Sequence, residues 1–125
     1  VTSDGRRSVG NAGEQLACEH LARRGFAIIE RNFRTRWGEL DIVACDGVRI
    51  VFCEVKTLVA RCQERRDPLE GVRPAKRKQV RRIAAQWLAQ RPDHPRVAEL
   101  RFDVVGVTLD RAGHLLELAH LEGAF

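Results

Sequence analysis

The stretch "ELDIVACDGVRIVFCEVKT", residues 39–57, decides the fold. Two apolar runs flank an Asp-Gly pair, the strongest short-range signal for a β-hairpin. With Asp46 and Gly47 as a two-residue turn, Cys45 faces Val48 and Asp41 lies opposite Phe52, with Glu54 as its diagonal neighbour. Strand side chains alternate between faces, and cross-strand partners share a face. Asp41, Glu54 and Lys56, and with them Glu39, are therefore expected on one side of the sheet. A one-residue bulge in either strand overturns this expectation, because it moves every later side chain to the other face.

Ile50 and Phe52 share the charged face in this register, so the face is expected to be covered. Carboxylates crowded on a covered face repel one another and lose hydration, and a divalent cation relieves both costs. Diagonal neighbours with β-carbons about 7 Å apart allow Asp41 and Glu54 to share one ion. Magnesium or manganese fits such a site, with the main-chain carbonyl of Val55 as a further ligand. A metal makes its water more acidic, and the Lys56 ammonium beside it suits hydrolysis of a phosphodiester. The same Glu-Val-Lys triplet also describes the wet face of any antiparallel hairpin, where Glu and Lys pair. Both readings are open at this point.

Outward from the hairpin, residues 10–24 read as a helix, with Asn11 as N-cap and Gly25 as the stop. Glu14, Ala17, Cys18 and Leu21 fall on one stripe, so a carboxylate heads the face turned to the core, where it can support the metal. Residues 26–33 read as a strand. Pro74 suits the first turn of a second helix, 74–90, with Val80, Ile83, Ala84, Trp87 and Leu88 as its apolar stripe. Between them, 58–73 is a loop long enough to suggest function or mobility. "ELRFDVVGVTL" (99–109) alternates as a strand, and "HLLELAHL" (114–121) closes the sheet. The order α-β-β-β-α-β-β predicts one α/β domain over 1–125, a central mixed β-sheet flanked by helices.

The chain has 125 residues, 44% hydrophobic and 31% charged, within the range of ordinary folded domains. It contains no apolar run long enough for a membrane helix, and residues 1–10 lack the apolar centre of a secretory signal, so a cytoplasmic protein is expected. Cys18, Cys45, Cys53 and Cys62 show no metal-ligand spacing and read as small hydrophobes. The net charge of +5 is concentrated: residues 61–82 hold nine Lys or Arg against three acids, which is +6, leaving −1 for the remainder. Such a block suits a polyanion or a solvated helix face. Within it, Lys76, Arg77 and Lys78 open the second helix. "RNFRTRW" (31–37) interleaves Arg34 and Arg36 with Phe33 and Trp37, as phosphate contact plus base stacking would require, or as a strand with buried aromatics. Gly10 and Gly13 suit a helix start. Gln79 is a further polar residue near the active face, and Asp103 could face either that site or Arg101.

"GNAGEQLA" (10–17), "GELDIVA" (38–44) and "FCEVKT" (52–57) together resemble the PD-(D/E)XK nuclease core, with Leu40-Asp41 in place of Pro-Asp. The succession of "RNFRTRWGELDIVA", "VFCEVKT", the Pro-Ala-Lys helix start, "RFDVV" and a final "AF" is similar to the YraN-like family of bacterial proteins, itself similar to Holliday-junction resolvases. The resemblance spans nearly the whole chain. It implies a restriction-endonuclease-like fold in which Asp41 and Glu54 match the metal-binding acids, Lys56 the catalytic lysine and Glu14 the helix glutamate. It also implies nucleic acid, with DNA the expected kind, as partner, and the resolvases similar to it act as dimers, so a homodimer is expected.

The expected function is a magnesium- or manganese-dependent endonuclease acting on DNA, with branched junctions among its substrates. Its catalytic residues are Asp41, Glu54, Lys56 and Glu14, its metal ligands Asp41, Glu54, Val55 and Glu14, and its nucleic-acid contacts Arg34, Arg36, Lys76, Arg77 and Lys78. Two alternatives come from other classes: a nucleic-acid-binding module of the same fold without turnover, and a protein-interaction adaptor using the 58–73 loop.

Overall fold

The computed structural model describes residues 2–60 and 74–124, with side chains for 9–60 and 77–124. Helix α1 (Thr2–Arg23) is followed by strands β1 (Ala27–Thr35), β2 (Gly38–Cys45) and β3 (Arg49–Val59), helix α2 (Pro74–Gln90), and strands β4 (Glu99–Leu109) and β5 (Leu115–Leu121). The five strands form one sheet in the order β1-β2-β3-β4-β5. Only β3 and β4 run parallel. A parallel pair needs a crossover, and the segment containing α2 supplies it. The α/β class and the element order expected from the sequence are what the chain adopts. No helix among the described residues is long and apolar enough to cross a membrane.

The sheet has a core on each face. On one, Ala17, Cys18 and Leu21 of α1 pack with Ile42, Ala44, Val51, Cys53, Val105 and Val107. On the other, Val80, Ile83, Ala84 and Trp87 of α2 pack with Leu40, Val43, Ile50, Phe52, Phe102 and Val104. Trp87 is fully buried and its indole N–H donates to Glu30 at 3.1 Å, so the core reading of its helical stripe holds. Cys18 and Cys53 are buried as small hydrophobes. Cys62, most of the 58–73 loop and the Lys76 side chain lie outside the described residues.

Helix α1 ends as its sequence predicts. Gly25 takes φ +92°, Phe26 N–H donates to Leu21 C=O at 3.0 Å and Gly25 N–H to Ala22 C=O at 3.0 Å. This is the Schellman arrangement, with Phe26 and Leu21 buried in the same cluster as its apolar clasp. The start differs: the helix begins at Thr2, and Asn11 is an exposed residue inside it rather than its N-cap. Asn inside a helix costs less than about 1 kcal/mol, which tertiary packing overrides.

Gly10 and Gly13 are accordingly interior to α1, and Gly13 is there for close approach. A β-carbon on it would lie 1.9 Å from Thr57 Oγ1 and 2.9 Å from Thr57 Cβ. The helix therefore rides directly on β3 at this point, which brings Glu14 down to the sheet. Gly13→Ala is expected to force the helix outward, since the Thr57 Cβ cannot rotate away. A loss of about 1–3 kcal/mol, as for other overpacked sites, is the expected result of urea titration. Unchanged stability would mean that the helix–strand contact yields freely.

The hairpin turn is also shifted. Cys45 pairs with Ile50, not Val48, so the two-residue turn is Gly47-Val48 closed by Asp46 and Arg49. Gly47 has φ +90°, the Gly-first pattern of a type II′ turn. Asp46 serves as its cap: Oδ1 accepts the amides of Val48 at 2.9 Å and Arg49 at 2.8 Å. The shift moves each partner by two in the opposing strand, which by itself preserves which side chains share a face.

Candidate metal centre

The common face nevertheless fails, at a break further along the strands. Val43 lies in the α2-side core, whereas Ile42 and Ala44 lie in the α1-side core. Alternation from Ile42 would put Leu40 with α1, yet Leu40 packs with α2. The adjacent β1 inverts at the same level. Phe33, paired with Leu40, packs toward α2, while Arg31, paired with Ile42, reaches Glu14 on α1. Between them Asn32 takes φ +57°, a conformation that Asn tolerates better than most residues.

This inversion assembles a cluster. Glu39, adjacent to Leu40, turns toward α1, and one carboxylate oxygen each from Glu14, Glu39 and Asp41 lie within 4.8 Å of one another. The Asn32 side-chain nitrogen, turned to face these acids, donates to Glu14 at 2.8 Å and Glu39 at 3.0 Å. Arg31 pairs with Glu14 at 3.5 Å and Arg34 with Glu39 at 3.0 Å. Glu14 is buried, with 9% exposure, beside Ala17 and Leu21 as its helical stripe requires.

Asp41 sits where the ladder between β2 and β3 stops, beyond the last pair Ile42–Cys53. Its Oδ2 accepts the Val55 amide at 2.7 Å. A strand amide lies in the plane of its sheet, so this carboxylate occupies the gap between the two strands. Burial pushes its pKa up to about 7. The Val55 amide opposes the rise, while a hydrogen bond with Glu39 and the charges of Glu14 and Glu39 add to it. Near neutral pH this cluster therefore holds a proton that a cation can replace.

Glu54 and Lys56 approach from the other side. Glu54 pairs with Val104, which belongs to the α2-side core, and Phe52 two residues earlier does too. Val55 packs toward α1, and Thr57 meets α1 at Gly13. Glu54 and Lys56 thus belong to the α2 face and lie outside the three-carboxylate group. The single face expected for Asp41, Glu54 and Lys56 is corrected to an arrangement about the gap between β2 and β3: Glu14 and Glu39 on one side, Asp41 within, Glu54 and Lys56 on the other.

Glu39 and Asn32 are the residues that sequence reasoning did not assign to the site. Glu39 was visible as a fourth charge of the hairpin, and Asn32 as a turn-prone residue inside an apolar strand. Of the expected nucleic-acid contacts, Arg77 and Lys78 are exposed on α2 and Arg36 is exposed at the β1–β2 turn. Arg34 is engaged by Glu39. Asp103 faces Arg101, not this site. Gln79 reaches the neighbouring turn, where its side-chain amide donates to the Trp37 carbonyl.

Residues 13–107 match the model of a family described as "Uncharacterised protein family UPF0102". The chain belongs to this family. A UPF0102 protein of Frankia alni is 45% identical over 119 residues, covering 94% of each chain. One of Streptomyces griseus is 46% identical over 108 residues, covering 86% of this chain and 88% of its own. One of Mycolicibacterium vanbaalenii is 41% identical over 122 residues, or 97% and 96% of the two chains. The part matched to UPF0102 begins at Gly13 and so takes in Glu14, Glu39, Asp41, Glu54 and Lys56 together.

Proposed function

We propose that this UPF0102 member is a divalent-metal-dependent endonuclease that hydrolyses DNA phosphodiesters, branched junctions included. The observation that carries this reading is the Asp41 carboxylate in the gap between β2 and β3, held by the Val55 amide, with carboxylate oxygens of Glu14 and Glu39 within 4.8 Å. Hard oxygen donors in this number suit Mg or Mn. Asp41, Glu14 and Glu39 would hold the ion, while Glu54 stays outside this group on the α2 side. The Val55 carbonyl is a further donor, since a strand residue's N–H and C=O open to the same side. A bound cation would supply a more acidic water and charge stabilisation at the phosphoryl oxygens.

The chain's own residues have separate tasks. The Val55 amide fixes the orientation of Asp41, and Asn32 orients Glu14 and Glu39 against each other. Lys56 brings a positive charge to the α2 side of the gap, where it can meet the phosphoryl oxygens of a substrate. The test is cleavage of linear, single-stranded and four-way DNA in Mg or Mn by the wild type, Asp41→Ala and Lys56→Ala. Each substitution is expected to slow cleavage by about a hundredfold or more. Cleavage that survives both would exclude this site.

One observation favours a second reading, a nucleic-acid-binding module without turnover. Arg31, Arg34 and Asn32 already compensate Glu14 and Glu39 without any ion. This reading predicts salt-dependent DNA binding with no metal-dependent cleavage. The adaptor reading rests on a loop outside the described residues.

A further inference from the structure

Most arginines near the carboxylate cluster are already committed to acids. Arg31 pairs with Glu14, Arg34 with Glu39, and Arg91 with Glu30. Arg36 and Arg82 differ. Both are exposed, and neither has a carboxylate within ion-pair distance among the described residues. Both instead stack on one indole: the Arg36 guanidinium carbon lies 4.6 Å, and that of Arg82 5.4 Å, from the Trp37 ring centroid. One comes from the β1–β2 turn and the other from α2, 46 positions later in the chain.

The platform between them is fixed. Trp37 is partly buried and packs against the α2-side core. Its amide donates to Thr35 Oγ1 at 3.1 Å, Thr35 Oγ1 donates to the Gly38 carbonyl at 3.0 Å, and Gln79 ties the Trp37 carbonyl to α2. Neither guanidinium has a counter-charge among the described carboxylates, and a bound anion supplies one. A ring-stacked guanidinium also keeps its planar donor edge oriented, so it loses less freedom on binding a phosphate in bidentate fashion.

We propose that Arg36 and Arg82, held on Trp37, form a preset clamp for a backbone phosphate of DNA. This rests on the nucleic-acid reading above and adds the anchor that orients the strand. Trp37 packs on the α2 face of the sheet, the face that carries Glu54 and Lys56, so the clamp grips the DNA on that side.

The test is binding of a fluorescently labelled DNA duplex by anisotropy, in EDTA over a series of salt concentrations. Wild type is compared with Arg36→Gln, Arg82→Gln, Trp37→Leu and Trp37→Phe. Each Arg variant should reduce the slope of log affinity against log salt by about 0.9, a loss of about eightfold in affinity at 0.1 M salt. Trp37→Leu removes no charge yet should weaken binding by a similar factor, and Trp37→Phe should restore most of it. A wild type that binds DNA while both Arg variants keep its slope and affinity overturns the clamp and leaves the nucleic-acid reading standing. A wild type with no salt-dependent DNA binding overturns both.

Discussion

Asp41→Asn is expected to stabilise the metal-free protein at pH 8, by about 1–3 kcal/mol. Asn keeps an oxygen for the Val55 amide and offers an N–H to Glu39, while it removes the charge that burial and two neighbouring carboxylates disfavour. The sign follows from linkage. The Asp41 pKa rises from 3.8 in its ordinary environment to about 7 in the fold. Between those values the folded state binds more protons than the unfolded state, so stability falls as pH rises through that window and levels off above it. The span of about three units corresponds to a cost on the order of 4 kcal/mol at pH 8, part of which the cluster relieves by relaxing.

The measurement is chemical denaturation of wild type and Asp41→Asn from pH 4 to pH 8, with the difference taken at each pH. Burial, with the nearby His120, Arg24 and Arg23, lowers the pKa of His20, so its contribution to stability rises with pH. It is common to both proteins and cancels in the difference. The advantage of Asn should be near zero at pH 4 and largest above pH 7. Magnesium should stabilise the wild type at pH 8 and not the variant. An Asn variant that is less stable at every pH would show that Asp41 is a structural acid. A group that costs stability where it sits is what a binding site retains for its ligand.

The parts of this architecture set by local chemistry are legible in the chain. Pro74 and the Val80, Ile83, Ala84, Trp87 stripe define α2 at 74–90, the bounds it adopts. Gly25 stops α1, and the stripe carrying Glu14 faces the core. Features set by pairings distant in sequence are not legible. Asp-Gly marks a turn but leaves open which of two central pairs forms, and the side chain of Asp46 settles it by capping two amides. The half-turn at Asn32 depends on Phe33 and Leu40 finding the α2 core while Arg31 finds Glu14. Strand alternation alone therefore groups Glu39 and Asp41 on one face with Glu54 and Lys56. Arg36 and Trp37 are legible together in "RNFRTRW", but Arg82 meets Trp37 only because α2 returns across the sheet, so its half of the proposed clamp has no local signature.

The largest loss of stability is expected at Asp103, a fully buried carboxylate of β4. Arg101 donates to it twice at 2.9 Å, His120 of β5 shares a hydrogen bond with it at 2.7 Å, and the Gly123 amide donates at 3.0 Å. His120 is in turn 3.0 Å from His20 of α1, so one carboxylate ties the edge strand and the C-terminal turn to the first helix. Burial pushes the Asp103 pKa up, but His120, Arg101 and the Gly123 amide outweigh it, and the net direction is down. Asp103→Ala leaves the largely buried Arg101 guanidinium with Glu122, at 3.7 Å, in place of its two close hydrogen bonds, and takes from His120 the carboxylate it bonds. Such a break costs about 3–5 kcal/mol, a large share of the total stability of a domain of this size.

Its pH signature is opposite to that of Asp41. A depressed carboxylate contributes stability above its unfolded pKa and loses it as pH falls through the folded one. The wild type should therefore lose its advantage over Asp103→Ala in acid, below about pH 4. Equal stability of the two proteins at neutral pH would mean that the Arg101–Asp103–His120 network adds nothing beyond the packing around it. In that case the attachment of β5 would rest on its backbone ladder to β4 and the packing of Leu118 against the α1-side core.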